Sequence, residues 1–135
     1  MATPAEHEQA VALFFEPTFR PRWRAAIAGN PKVRAKLVDK LNHFWHLDER
    51  FVIAIPGQEQ YPERIHELLR ARGAPDRCYV IGDGDLEGQE PLLLDALDHV
   101  VDGFTGTILS CVAGRLAYFQ GEDFVDRFIL QRSGA

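Results

Sequence analysis

Five stretches of this chain carry residue types suited to chemistry. The first is the acidic turn Asp83-Gly84-Asp85-Leu86-Glu87-Gly88. Alternating oxygen ligands followed by a glycine open a calcium loop, because the chain must turn sharply to bring several carboxylates onto one ion. The pattern breaks where the loop needs a closing bidentate glutamate and Leu94 stands instead. An extended apolar run, Cys78–Gly82, precedes it where a calcium hand would place a helix. The plainer reading is a solvated turn whose carboxylates lie near the N-terminus of the next helix, where the helix dipole favours negative charge.

The second stretch is His43-Phe44-Trp45-His46-Leu47-Asp48-Glu49. Two histidines three residues apart share a helix face and, with a carboxylate, make the beginnings of a transition-metal site. The weak metal set is therefore His43, His46, Asp83, Asp85 and Glu87. Spacing fixes no third ligand, and histidines near a helix C-terminus are stabilised by its dipole without any metal. Asp48 and Glu49 are adjacent, so they point apart on either helix or strand and do not form an acid/base pair.

The third is Ser110-Cys111, which with Arg115 and Tyr118 makes the candidate pocket. A reactive thiol needs exposure and a neighbouring base or cation. Cys111 falls in the middle of an apolar run, where a buried inert cysteine is the commoner outcome. The fourth is a basic segment holding Arg20, Arg22, Arg24, Lys32, Arg34, Lys36 and Lys40, opposed only by Asp39. With Trp23 it resembles the phosphate-contacting face of a helix-turn-helix, although no polar base-reading set accompanies it. A solvated face, or one neutralised by acidic residues elsewhere, explains it equally. The fifth, Gly103-Phe104-Thr105-Gly106-Thr107, has glycines beside hydroxyls but no following helix or lysine, so it reads as a turn and not as a phosphate loop.

The elements that position these residues follow from periodicity and punctuation. A helix is expected from about 5 to 15, stopping before Pro17, and a second from about 18–21 to 28. Gly29 closes it, Asn30 caps a third helix, and Pro31 occupies its first turn. The third helix runs to about Phe44 with an apolar stripe of Val33, Leu37, Leu41 and Phe44. Phe51–Ile55 reads as a strand, 62–72 as a helix, Cys78–Gly82 as a strand, and 91–101 as a helix.

From about Thr105 to Gln131 the pattern is an antiparallel meander with strands Gly106–Val112, Arg115–Gln120 and Phe124–Gln131. A two-residue Ala113-Gly114 loop pairs Val112 with Arg115, Cys111 with Leu116, Ser110 with Ala117, Leu109 with Tyr118 and Ile108 with Phe119. Ile108, Ser110, Val112, Arg115, Ala117 and Phe119 then share one face, and Leu109, Cys111, Leu116 and Tyr118 the other. Both faces are mostly apolar, whereas a half-exposed sheet alternates. Helices must cover one face, and either more helix or a second subunit the other.

The expected fold is one α+β domain over residues 1–135: N-terminal helices packed with a mixed or antiparallel sheet that ends in the meander. With 135 residues and 46% hydrophobic content the chain can bury a core without disulfides or metals. Cys78 and Cys111 make no framework and no metal-binding pair in sequence, which points to a reducing compartment. No signal-peptide pattern and no membrane-length apolar run is present, so a cytoplasmic protein away from the membrane is expected.

The net charge of −5 argues against general nucleic-acid binding. It is also bipolar: the acidic stretch Asp76–Asp102 opposes eight carboxylates with Arg77 alone. No cofactor is indicated. The leading expectation is a non-enzymatic protein-binding or regulatory module whose partner is another protein or a second copy of itself. The alternative is a small enzyme with a pocket between the helices and the C-terminal sheet. Nucleic-acid binding through the basic helices of residues 18–47 stands third.

Overall fold

The computed structural model describes residues 2–82, 84–123 and 125–132. Its helices are α1 (Pro4–Ala10), α2 (Arg20–Ile27), α3 (Pro31–Asp39), α4 (Pro62–Ala71) and α5 (Leu93–Val100). Its strands are β1 (Val52–Ala54), β2 (Tyr79–Ile81), β3 (Thr107–Val112), β4 (Leu116–Gln120) and β5 (Arg127–Gln131). The strands form one sheet in the order β1-β5-β4-β3-β2, with every neighbouring pair antiparallel.

Local chemistry sets the helix starts. Thr3 and Glu6 form a reciprocal capping box at α1. Asn30 Oδ1 accepts from the Val33 N–H at 2.9 Å, with Pro31 in the first turn, as the sequence indicates for α3. α1 runs on as a 3-10 turn, Val11–Phe14.

α3 ends earlier than its periodicity suggests, giving way to a 3-10 turn at Lys40–His43 before Phe44 turns extended. The cause lies in the contacts of Asn42. Its side-chain Oδ1 accepts from Gly106 N at 2.6 Å and its carbonyl accepts from Glu122 N at 3.0 Å. That carbonyl serves the sheet instead of the helix. Val33, expected in the apolar stripe, is 43% exposed, so the buried stripe of this segment is Leu37 and Leu41.

Both faces of the sheet are covered by helices of this same chain. On one face α1–α3 bring Phe14, Phe15, Phe19, Trp23, Ile27 and Leu41 against Ile81, Ile108, Ala117, Phe119 and Leu130. Trp23 Nε1 donates to the Glu8 carbonyl at 2.8 Å, which locks α2 onto α1. On the other face α4 and α5 supply Ile65, Leu69, Leu93, Ala96, Leu97 and Val100, packed on Val80, Leu109, Leu116, Tyr118 and Ile129. The doubly apolar meander is thus a central layer between two helical layers. It no longer gives a reason to invoke a second subunit there.

The β3–β4 register holds at Ile108↔Phe119, Leu109↔Tyr118 and Ser110↔Ala117, and then shifts. Val112 pairs with Leu116, so Cys111 is the extra residue of a β-bulge and the expected Cys111/Leu116 and Val112/Arg115 pairs do not form. The connection is Ala113-Gly114-Arg115, with Gly114 at φ +72°, a three-residue loop of the kind that needs a left-handed glycine. The bulge also moves Val112 to the α4/α5 side. The expected beginnings of β3 and β4, Gly106 and Arg115, lie just outside the strands. Phe124, expected to open the last strand, lies outside the described residues.

The outer edge of β2 is covered by the segment around Gly88–Leu92: Val80 N donates to Gln89 O and Cys78 N to Pro91 O. β1 is the opposite edge of the sheet. No helix among the described residues is long and apolar enough to cross a membrane.

Candidate functional site

Two concavities gather the residues of interest. The first lies at the β2–β3 end of the sheet, under α1. Ser110 sits in β3 with its side chain on the α1 face and is fully buried. His7, on α1, meets it: Nδ1 and Ser110 Oγ are 2.6 Å apart. The His7 ring stacks on Tyr79 with centroids 5.6 Å apart and planes 16° from parallel. Burial lowers the His7 pKa below its ordinary value, against the opposing pull of Glu90 and Glu6, so the ring is neutral at pH 7.

A buried hydroxyl proton needs an acceptor, and among the described residues His7 Nδ1 is the one that Ser110 has. Ser110 therefore donates to Nδ1, and the ring proton belongs on Nε2. Nε2 has no partner among the described residues, yet it is not a sealed atom. His7 lines a cavity of about 570 Å³ together with Pro75, Cys78, Cys111, Val112 and Ala113.

Cys78 and Cys111 lie on the same side of the Tyr79↔Ser110 pair, in the same core cluster. Far apart in sequence, the two thiols are neighbours in space. Both are free. Burial pushes the Cys78 thiol up to about 12 and raises Cys111 well above its ordinary value, so neither is a thiolate at neutral pH.

Behind this cavity stands a polar cluster. The Tyr79 hydroxyl donates to Glu8, Arg34 donates to Glu8 at 2.6 Å, and the same guanidinium forks onto Glu87 with two contacts of 3.2 Å. Glu87 also accepts from Gly82 N at 3.3 Å. Arg34, expected on a phosphate-binding face, instead ties α3 to α1 and to the turn after β2.

The second concavity, of about 490 Å³, opens at the β1–β5 corner, where α1–α3 stop short of the sheet. Val52 of β1 and Phe128 of β5 lie at the margin of the α1–α3 core, only half-buried. Phe44, Leu47, Trp45 and Val125 complete the apolar lining, and Trp45 and Val125 are 83% and 77% exposed. His43, Glu49, Asp123 and Asp126 complete the rim; His43 is paired with Glu122, and no cation lies within ion-pair distance of the three carboxylates among the described residues. A further hollow on the other side of Trp45 is lined by Pro17, Thr18 and Arg50.

The expected pocket of Ser110, Cys111, Arg115 and Tyr118 is divided by the sheet. Ser110 faces α1, whereas Cys111 and Tyr118 are buried toward α4 and α5. Tyr118 donates to Gln120 Oε1 at 2.8 Å, and its pKa is raised to about 12 by burial. Arg115 is exposed in the β3–β4 turn. Only Cys111 of the four lines the cavity. Ser110 is fully buried inside the layer, with its Oγ against His7 Nδ1. His7 itself is not legible as a site residue in the sequence, because nothing local marks a histidine in a capping-box helix as the partner of a serine 103 residues away.

The described members of the metal set do not come together. His43 Nε2 pairs with Glu122 at 2.6 Å, while His46 Nδ1 is 3.4 Å from Glu16 and its ring stacks on Phe19 at 4.0 Å. The expected shared helix face does not form because the helix has already ended before Phe44. Asp85 is 3.4 Å from His99 and Glu87 is held by Arg34; Asp83 lies outside the described residues. Among the described residues no group of three or more metal-ligating side chains converges.

Of the basic segment, Arg20 donates to the Phe15 and Leu13 carbonyls and Arg22 lies over the Phe19 ring at 5.5 Å. Arg24, Lys32, Lys36 and Lys40 remain exposed.

Comparison with family models, with curated proteins and with solved structures finds no significant match for this chain.

Proposed function

We propose that this domain is a protein-binding module that docks a short basic, apolar segment of a partner protein in the groove at the β1–β5 corner. The observation that carries the reading is the exposure of Trp45 and Val125 over a half-buried Val52/Phe128 floor. Tryptophan is the residue most often found at the energetic centre of interfaces, and an exposed apolar cluster rimmed by charge marks an interaction surface. Glu49, Asp123 and Asp126 set the partner's chemistry: apolar side chains that fill the groove, flanked by lysine or arginine that meets the rim. Rim charges act chiefly on encounter and selectivity, and the apolar floor on affinity.

The test is calorimetric titration with a synthetic peptide of alternating leucine and lysine, beside its leucine–glutamate counterpart. The reading requires saturable binding of the first alone, weakened by added salt. Trp45→Ala and the pair Asp123→Asn/Asp126→Asn must each reduce it, while Asp95→Asn/Asp98→Asn, remote on α5, must not. Equal losses from both acidic pairs would mean general charge attraction and would overturn it.

A further inference from the structure

The cavity beneath α1 is independent of that groove, and it has the attributes of a small-molecule site. Its volume of about 570 Å³ falls in the range of ligand pockets. Its wall is mainly apolar, with Pro75, Cys78, Cys111, Val112 and Ala113. Besides Arg77 at the rim, a donor is offered by a residue only 8% exposed, His7, fixed in place by Ser110 on one side and Tyr79 beneath. A neutral imidazole held in one tautomer at the wall of an apolar hollow, its Nε2 proton without a partner among the described residues, is preorganised for one hydrogen bond. Preorganisation of this kind lowers the ordering cost of binding.

We infer that this cavity binds a small, mainly apolar, uncharged molecule bearing one hydrogen-bond acceptor oxygen, which receives the His7 Nε2 proton. The acceptor follows from the tautomer, since Ser110 leaves Nε2 as the protonated nitrogen. The lack of charge follows from the rim. Asp76 is paired with Arg70 at 3.0 Å, and Arg77, whose Nη1 donates to the backbone carbonyl of Glu90 at 2.9 Å, shares the lining with the Glu90 carboxylate. Among the described lining residues two carboxylates, Asp76 and Glu90, stand against one cation, Arg77, so nothing there favours a carboxylate ligand.

The experiment uses a neutral naphthyl ketone whose emission moves to the blue when its carbonyl leaves water, and the matching alkylnaphthalene without the carbonyl. Wild-type protein is expected to bind the ketone saturably and about three- to tenfold more tightly than the hydrocarbon, the worth of one hydrogen bond. Ala113→Phe, which fills the cavity from its half-exposed rim, is expected to abolish binding of both. His7→Phe should bring the ketone down to the affinity of the hydrocarbon. Trp45→Ala should change nothing, which separates this site from the groove. The inference is overturned if the ketone does not saturate, if both probes bind equally, or if Ala113→Phe leaves ketone binding intact. The two-probe comparison and Ala113→Phe decide the matter even if His7→Phe fails to fold.

Discussion

His7 Nδ1 and Ser110 Oγ lie 2.6 Å apart, buried, across 103 residues of chain. The contact joins the first helix to the centre of the sheet. Because burial lowers the His7 pKa, its stabilising contribution is fully present above the ordinary value of 6.5 and is lost as pH falls from there through the lower folded value. The melting temperature of wild-type protein should therefore fall relative to that of His7→Phe over a window that opens at pH 6.5 and extends downward. Parallel profiles of the two proteins across that window would show that His7 is not buried in neutral form.

Arg34 holds two carboxylates on different elements, Glu8 and Glu87. Arg34→Met should leave them facing each other without a counter-charge. The three side chains are 16–26% exposed, so the cost is reduced from that of a fully buried network to about 1–3 kcal/mol in a denaturant titration. Arg34→Lys should recover only part, since lysine cannot fork onto Glu87 while reaching Glu8. Equal stability of all three proteins would show the cluster to be ornamental.

Gly106 lies against the backbone of the α3 extension. A Cβ there would sit 2.3 Å from Leu41 C and 2.4 Å from Asn42 N. Backbone cannot swing aside as a side chain can. Gly106→Ala should cost about 3 kcal/mol or more and separate the 3-10 turn at Lys40–His43 from the start of β3. A fully stable Gly106→Ala protein, measured by thermal melting, would mean that this approach is looser than the structure shows.

The Cys78 and Cys111 thiols are held protonated by burial. Native protein at pH 8 should react with an aromatic disulfide reagent far more slowly than denatured protein, because the raised pKa leaves little thiolate even where the thiols line the cavity. Prompt release of two equivalents from the native state would instead make them accessible nucleophiles.

Much of the fold can be read locally. Asn30-Pro31, the glycines after helices, and the two-sided apolar meander all have short-range causes, and the α+β class with its antiparallel C-terminal meander follows from them, whereas the antiparallel pairing of β1 and β2 does not. The differences share another cause. The early end of α3 depends on Asn42 meeting Gly106 and Glu122, and the β3 bulge depends on the geometry of a three-residue turn. Neither is encoded in periodicity. The same division holds for the candidate sites. Cys111 stands out from its own run of residues, but His7 and Cys78 come to it through sheet register and helix docking. In the sequence Trp45 is only the neighbour of two histidines. Its exposure follows from where α1–α3 stop covering the sheet, which no local pattern states.

The most direct test of the protein-binding account is the emission of Trp45 during titration with the leucine–lysine peptide. Trp23 is fully buried and Trp45 is 83% exposed, so a change in tryptophan environment on binding reports Trp45. The account predicts a saturable shift of its emission to the blue, absent in Trp45→Phe and absent with the leucine–glutamate peptide. Saturable binding with Trp45 left in water would contradict it.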